Sequence, residues 1–385
     1  MPVRSRTTTS SALIGLLASV LAGCGADTSA ERDTPRITDP VAITYDGGIH
    51  VLDGTTLEIA GTVELDGFNR LNPAGDDRHL IVSTKDGFRV FDAATAGFTG
   101  IEFPGTHPGH VVRHAGRTVL FSDGTGEVVA FDSADLADGA PQTATYRAAA
   151  PHHGVAIELA NGELVVTLGT EEKRTGIVVL DKNRTEKARS EDCPGVHGEA
   201  TAAGEAVVLG CENGVLVYRN GAITKVAGPT EYGRIGNQAG SETSPVVLGD
   251  YKQDKDAELE RPQRVSLIDT VTGTLRLVDL GTSYTFRSLA RGPHGEALVL
   301  GTDGRIHVID PVAGAVVRTI PVTGSWQEPL EWQKPRPALF VRGDVAYVSD
   351  PAAKQVHRVD LATGAKTASV TLPSTPNEVS GVVGH

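Results

Sequence analysis

From Val41 towards the C-terminal end, apolar and polar residues alternate one by one in short runs, and Gly, Asp or Asn breaks each run. Successive side chains of a β-strand point to opposite faces, so this period of two predicts strands. The breaks carry the residue types that tight turns favour. No stretch of this region shows the apolar spacing of a long amphipathic helix. The runs also recur. Ile43 to Asp53 contains Tyr-Asp-Gly-Gly-Ile-His-Val-Leu-Asp, a strand, a tight turn and a second strand that ends in Asp. The same phrase returns at Leu80–Asp92, Val119–Asp132, Leu164–Asp181, Ala206–Tyr218, Val246–Asp269, Ala297–Asp310 and Val345–Asp360, with 37 to 51 residues between successive starts. A repeat of this period, written in strands, predicts an all-β fold: a single β-propeller of eight four-stranded blades. Seven blades is the alternative if one copy supplies two strands to its neighbour. A ring must also close. Blade 1 begins at its second strand near Val41, and Glu378 to Val383 reads as an unpartnered strand, so the N- and C-terminal strands are expected to share that blade.

Composition agrees with this architecture. The chain has 385 residues, 45 glycines and one methionine, which fits one large all-β domain. Its formal net charge is −13; without residues 1–23, which hold Arg4 and Arg6 and no acid, it is −13 − 2 = −15. An acidic surface argues against nucleic acid as a partner and against charge-driven binding to anionic lipid. A monomer is expected.

The N-terminal residues carry targeting information. Arg4 and Arg6 precede an apolar stretch, Ser11 to Leu21, too short to span a bilayer comfortably, so residues 1–23 read as a secretory signal. The signal ends Leu21-Ala22-Gly23-Cys24, which resembles the bacterial lipobox and implies lipid attachment at Cys24. Residues 24–38 are polar and aperiodic and read as a tether, with the propeller occupying 39–385. The chain is then exported and lipid-anchored at the outer face of the cell membrane, in the envelope or periplasmic space. In an oxidising compartment the remaining cysteines, Cys193 and Cys211, are expected to form a disulfide across a hairpin turning at Ala203-Gly204. Zinc ligation by the two thiols is the rival.

Candidate chemistry lies in the histidines. His110, His153 and His197 each stand just before a strand pair, with separations of 153 − 110 = 43 and 197 − 153 = 44. Equivalent positions in neighbouring blades lie side by side around the axis, so three imidazoles in phase converge on one mouth. Three nitrogens at one mouth suit Zn2+ at 2.0–2.1 Å. In the same alignment the address falls at Arg70 or its neighbour in one blade, near Ser241 in another and at Arg287 in a third. His107 and His152 are the alternates to His110 and His153, because a shift of one residue in register turns the other ring inward. Asp66 and Glu199 are the acids placed to supply a fourth ligand or to orient an imidazole. His114, His294, His307 and His357 fall at turns or within strands and read as structural.

Three segments sharpen the picture: Asp66-Gly67-Phe68-Asn69-Arg70-Leu71-Asn72-Pro73-Ala74-Gly75-Asp76, Pro151-His152-His153-Gly154-Val155-Ala156 and Cys193-Pro194-Gly195-Val196-His197-Gly198-Glu199-Ala200. They resemble segments of the bacterial zinc metallochaperone family AztD, and the resemblance extends over essentially the whole mature chain. It implies an exported β-propeller that carries zinc to the solute-binding protein of a zinc ABC importer, with His110, His153 and His197 as the matched ligands. One departure stands out. Members of that family can carry a His-rich segment near the mature N-terminus, whereas residues 25–40 here contain no histidine. Two other functions compete: a metal-free surface scaffold or adhesion propeller, and a zinc-dependent hydrolase or lactonase with Glu199 as general base. No carboxylate pair or Ser/His/Asp set stands at in-phase positions, so a non-enzymatic role is expected. No catalytic residue is assigned.

Overall fold

The computed structural model describes residues 36–383; the expected signal sequence, Cys24 and the expected tether up to Pro35 lie outside the described residues. Eight four-stranded antiparallel sheets form the eight blades of a propeller. Blade 1 is the closing blade. Its innermost strand is Val379–Gly381, which pairs with Val41–Tyr45 in the register Val41↔Gly381 and Ile43↔Val379. The expected closure is therefore observed, and the choice of eight blades over seven is settled. The closure is also pinned by Glu378. Its backbone carbonyl accepts from Thr44 N at 3.0 Å, and its buried carboxylate accepts from Leu71 N at 3.0 Å and Arg70 Nε at 3.2 Å and forms an ion pair with Arg287 Nη2 at 3.1 Å. One side chain thus joins blades 1, 2 and 7.

The recurring terminal Asp has a local cause. In seven blades it stands where the third strand turns into the fourth, and its carboxylate accepts backbone N–H groups two to four residues ahead, at Asp53, Asp92, Asp132, Asp181, Asp269, Asp310 and Asp360. Such an Asx turn satisfies donors that the hairpin would otherwise leave free. The N–H groups of Ala313 and Val312 hold the Asp310 carboxyl below its ordinary range, and that of Thr363 does the same for Asp360. Blade 5 replaces the Asp by Asn220-Gly221, both with positive φ, the geometry of a two-residue hairpin.

Buried Val, Leu, Ile, Ala, Phe and Tyr fill the spaces between adjacent blades. The innermost strands ring a central channel: Arg70–Pro73 in blade 2, Pro108–His114 in blade 3, Ala156–Glu158 in blade 4, His197–Ala202 in blade 5, Gln238–Ala239 in blade 6, Leu289–Arg291 in blade 7 and Leu339–Arg342 in blade 8. Residues just before the first strand are already bonded to the propeller. Ile37 N donates to Ala94 O of blade 2 at 2.8 Å, and Thr38 O accepts from Gly54 N of blade 1 at 3.2 Å, so both residues are tied to the propeller. No helix among the described residues is long and apolar enough to cross a membrane.

Candidate metal centre

Three innermost strands, or the loops just before them, deliver the three histidines. His110 sits at a bulge in the blade 3 strand, where the register shifts between Pro108 and Val111. His153 lies in the loop before Ala156–Glu158. His197 opens the blade 5 strand, at a bulge between His197 and Glu199. Each has a glycine beside it, and each glycine is there for space. A Cβ on Gly109 would stand 2.1 Å from Asp123 Oδ1, one on Gly154 would stand 2.4 Å from the Phe121 ring, and one on Gly198 would stand 2.2 Å from Gln238 Oε1. Gly198 also adopts φ +71°, which only glycine takes without strain. The backbone can therefore pack closely enough for the rings to meet.

The rings do meet. Their centroids are 5.2 Å apart for His110–His153, 5.3 Å for His110–His197 and 4.9 Å for His153–His197. One nitrogen from each ring lies within 4.8 Å of the other two. His153 Nδ1 is 2.5 Å from Asp123 Oδ2, and an ionised carboxylate only accepts, so Nδ1 carries the proton. His197 Nδ1 donates to Gly236 O at 2.5 Å. With both rings neutral each Nε2 carries the lone pair, and the two face each other at 3.0 Å. Two such lone pairs repel unless a proton or a metal ion lies between them. Nitrogens on a tetrahedral zinc are about 3.3 Å apart, close to what is seen here. Burial first, then the neighbouring His110, His153 and Arg234, push the His197 pKa well below the ordinary imidazole value, so its lone pair is free at neutral pH. The mouth that holds the three rings is a cavity of about 660 Å³.

No family model matches the chain. The zinc chaperone AztD of Citrobacter koseri is 25% identical over 294 residues, which cover 74% of this chain and 68% of that protein. Crystal structures of C. koseri AztD superpose with a TM-score of 0.77. The apo form is 22% identical and covers 89% of this chain and 96% of its own; a second structure is 21% identical and covers 90% and 98%. The chain is similar to AztD in sequence and in fold. The dihydro-heme d1 dehydrogenase NirN shares the propeller fold more distantly, at TM-score 0.61 and 13% identity over 89% of this chain and 75% of that one.

In this AztD-like propeller the other expected site residues separate into those at the mouth and those elsewhere. Glu199 is at the mouth, with Oε2 3.5 Å from His110 Nδ1. Asp66 is not. It is exposed on the connection between blades 1 and 2 and lines a different groove with Lys85, Asp86 and Arg89, because the loop carries it outward from the axis. His107 is exposed, with φ +51°, and offers its carbonyl to Asp123 N at 3.0 Å. His152 is buried, and both its nitrogens are engaged, Nδ1 with Ala150 O at 2.9 Å and Nε2 with Thr167 Oγ1 at 3.0 Å. Neither alternate joins the cluster. Cys193 and Cys211 form the expected disulfide, which removes them as metal ligands. The blade 6 address is not at Ser241: the innermost strand there is Gln238–Ala239, and Asn237 and Gln238 take the place of a histidine. Sequence reading missed Asp123. It stands in an Asp-Gly turn, ordinary hairpin chemistry, yet the hairpin it turns reaches across to the blade 4 loop.

Proposed function

We propose that this chain is an exported zinc carrier that passes its ion to the solute-binding protein of a zinc ABC importer, and that a lipid on Cys24 holds it, as a monomer, at the outer face of the membrane. The observation that carries the zinc assignment is the pair of Nε2 lone pairs held face to face at 3.0 Å by a carboxylate and a carbonyl behind them, with His110 completing the set. The 25% identity to a protein named as a zinc chaperone supports the carrier role. The donor set fits a transferable ion. Neutral imidazoles hold zinc without a thiolate, Asp123 is bonded to the Nδ1 of His153, and three imidazoles leave one position of a tetrahedral ion unfilled. A fourth position therefore opens to the mouth, where a recipient's ligand can enter as an imidazole leaves.

The test is transfer. Protein loaded with one equivalent of zinc is mixed with the metal-free solute-binding protein of a zinc importer, the two are separated, and the zinc on each is measured over time. Movement of zinc to the recipient faster than its spontaneous loss to a dilute chelator is the expected result. Equal rates would mean simple dissociation and would contradict a carrier. Zinc-dependent hydrolysis of lactones or esters, abolished in Glu199→Gln, would replace the carrier reading with an enzymatic one.

A further inference from the structure

The connection between blades 7 and 8, residues 322–338, contains no strand or helix, yet it is firmly held from below. Arg336 Nη1 donates to Glu328 Oε1 at 2.6 Å with both side chains buried, and Arg336 Nη2 donates to Glu331 O at 2.7 Å. Arg261 Nη2 donates to Glu328 O at 3.0 Å, and Asn377 Nδ2 to Gln333 O at 2.9 Å. The Trp332 indole stands edge-on to Phe68 with centroids 5.0 Å apart. Above this support the segment leaves two large apolar side chains in water, Leu330 at 60% and Trp332 at 52% exposure. The other exposed large hydrophobics, Ile59, Val271, Val312 and Val317, sit singly on outer strands and turns. Trp326, in the same connection, is by contrast tied in through its indole N–H to Gly301 O at 3.1 Å.

Position gives this pair its meaning. Trp332 lines the same cavity as His110, His153 and His197. Lys252 and Arg70 line it too, Arg70 with its Nε on Glu378, beside the acids Asp123 and Glu199, so the mouth offers cations as well as carboxylates to a partner. A rigid, exposed tryptophan on a pre-ordered segment is the kind of residue that anchors a protein interface, and flanking charges set the approach of the partner.

We propose that Leu330 and Trp332 are the anchor on which a zinc-accepting protein docks, one that offers an apolar recess for the indole and carboxylates for Lys252 and Arg70 beside its own metal cleft. This rests on the carrier role proposed above. Docking there brings the recipient's ligands over the open fourth position of the histidine site.

The experiment compares the wild type, Trp332→Ala, Leu330→Ser and Lys252→Glu, each loaded with zinc and mixed with the metal-free solute-binding protein of a zinc importer. A small chelator serves as a second acceptor. In Trp332→Ala the transfer rate to the protein acceptor falls at least tenfold, while zinc affinity and the rate of loss to the chelator stay within twofold of wild type. Lys252→Glu slows protein transfer more at low salt than at high salt. In a Trp326→Phe background, adding the acceptor shifts the remaining tryptophan emission to the blue. Wild-type transfer by Trp332→Ala overturns the proposal. So does a concentration-dependent wild-type dimer that Trp332→Ala converts to monomer, since the patch would then belong to a second copy. Failure of the carrier role looks different: the wild type itself passes no zinc to the protein acceptor, and this proposal falls with it.

Discussion

Asp123 Oδ2 accepts from His153 Nδ1 at 2.5 Å, and the same carboxylate takes the N–H of Gly154 through Oδ1 at 3.3 Å. One side chain from the blade 3 hairpin thus fixes both the tautomer of a blade 4 histidine and the backbone that carries it. Orienting carboxylates behind metal-bound imidazoles contribute about 10- to 100-fold in metal affinity. Asp123→Ala is therefore expected to weaken zinc binding about 10- to 100-fold with little change in melting temperature when no metal is present. Competition with a chromophoric chelator measures it. An unchanged affinity would show that His153 needs no such partner.

The Cys193–Cys211 bridge lies just upstream of His197, and Cys211 follows Gly210, the strand partner of His197. A bridge closing a loop with a sequence separation of 18 stabilises by about 3 kcal/mol in the chain-entropy account. Cys193→Ala/Cys211→Ala is expected to unfold at lower denaturant concentration by that amount. Its zinc affinity should also fall, because the segment leading into His197 loses its anchor. Equal chemical denaturation midpoints would contradict this.

Glu378 is buried against Arg287, and removing one partner of a buried ion pair leaves the other charge uncompensated. Burial already pulls the Arg287 guanidinium down to about 10, with the nearby Glu378 opposing that pull. Glu378→Gln is expected to cost about 3 kcal/mol and to loosen the closure of blade 1 first. Hydrogen exchange along Val41–Tyr45 and Val379–Gly381, faster there than in blade 5, is the readout. Uniform exchange across all blades would count against Glu378 as the pin.

His50, which bonds Thr62 Oγ1 through Nδ1 at 2.9 Å, and His357, which bonds Ser369 Oγ at 2.8 Å, are buried far from the mouth, and burial lowers the pKa of each. Their folded values lie below the unfolded value of about 6.5. The unfolded chain therefore binds more protons as pH falls below about 6.5, and the stability these neutral rings contribute, complete above that pH, is lost towards the depressed folded values. Metal-free protein is expected to melt at lower temperature at pH 5 than at pH 7.5. His50→Gln/His357→Gln should flatten that dependence, and an unaltered slope in the double variant would refute it.

Much of this was legible in the sequence, for reasons the structure makes plain. In seven blades the Asp at the end of the third strand both marks the repeat and makes the turn, and blade 5, with Asn220-Gly221 in its place, is marked by its alternating strands. The in-phase histidines were found because blade geometry converts spacing along the chain into proximity around the axis. Depth within a connection was harder to read. Asp66 shares the phase of the mouth but is carried outward by its loop, and Asp123 is in a turn motif whose reach to the next blade depends on the twist of blade 3. Blade 6 hid its address because Gly236 to Gly240 lacks clear alternation and the insertion at 250–263 follows it.

The most direct measurement is anomalous diffraction at the zinc edge from crystals grown with one equivalent of zinc. One peak is expected, 2.0–2.1 Å from a nitrogen of each of His110, His153 and His197, and absent in His197→Ala. A peak elsewhere, or none at this mouth, would contradict the zinc site on which the carrier role depends.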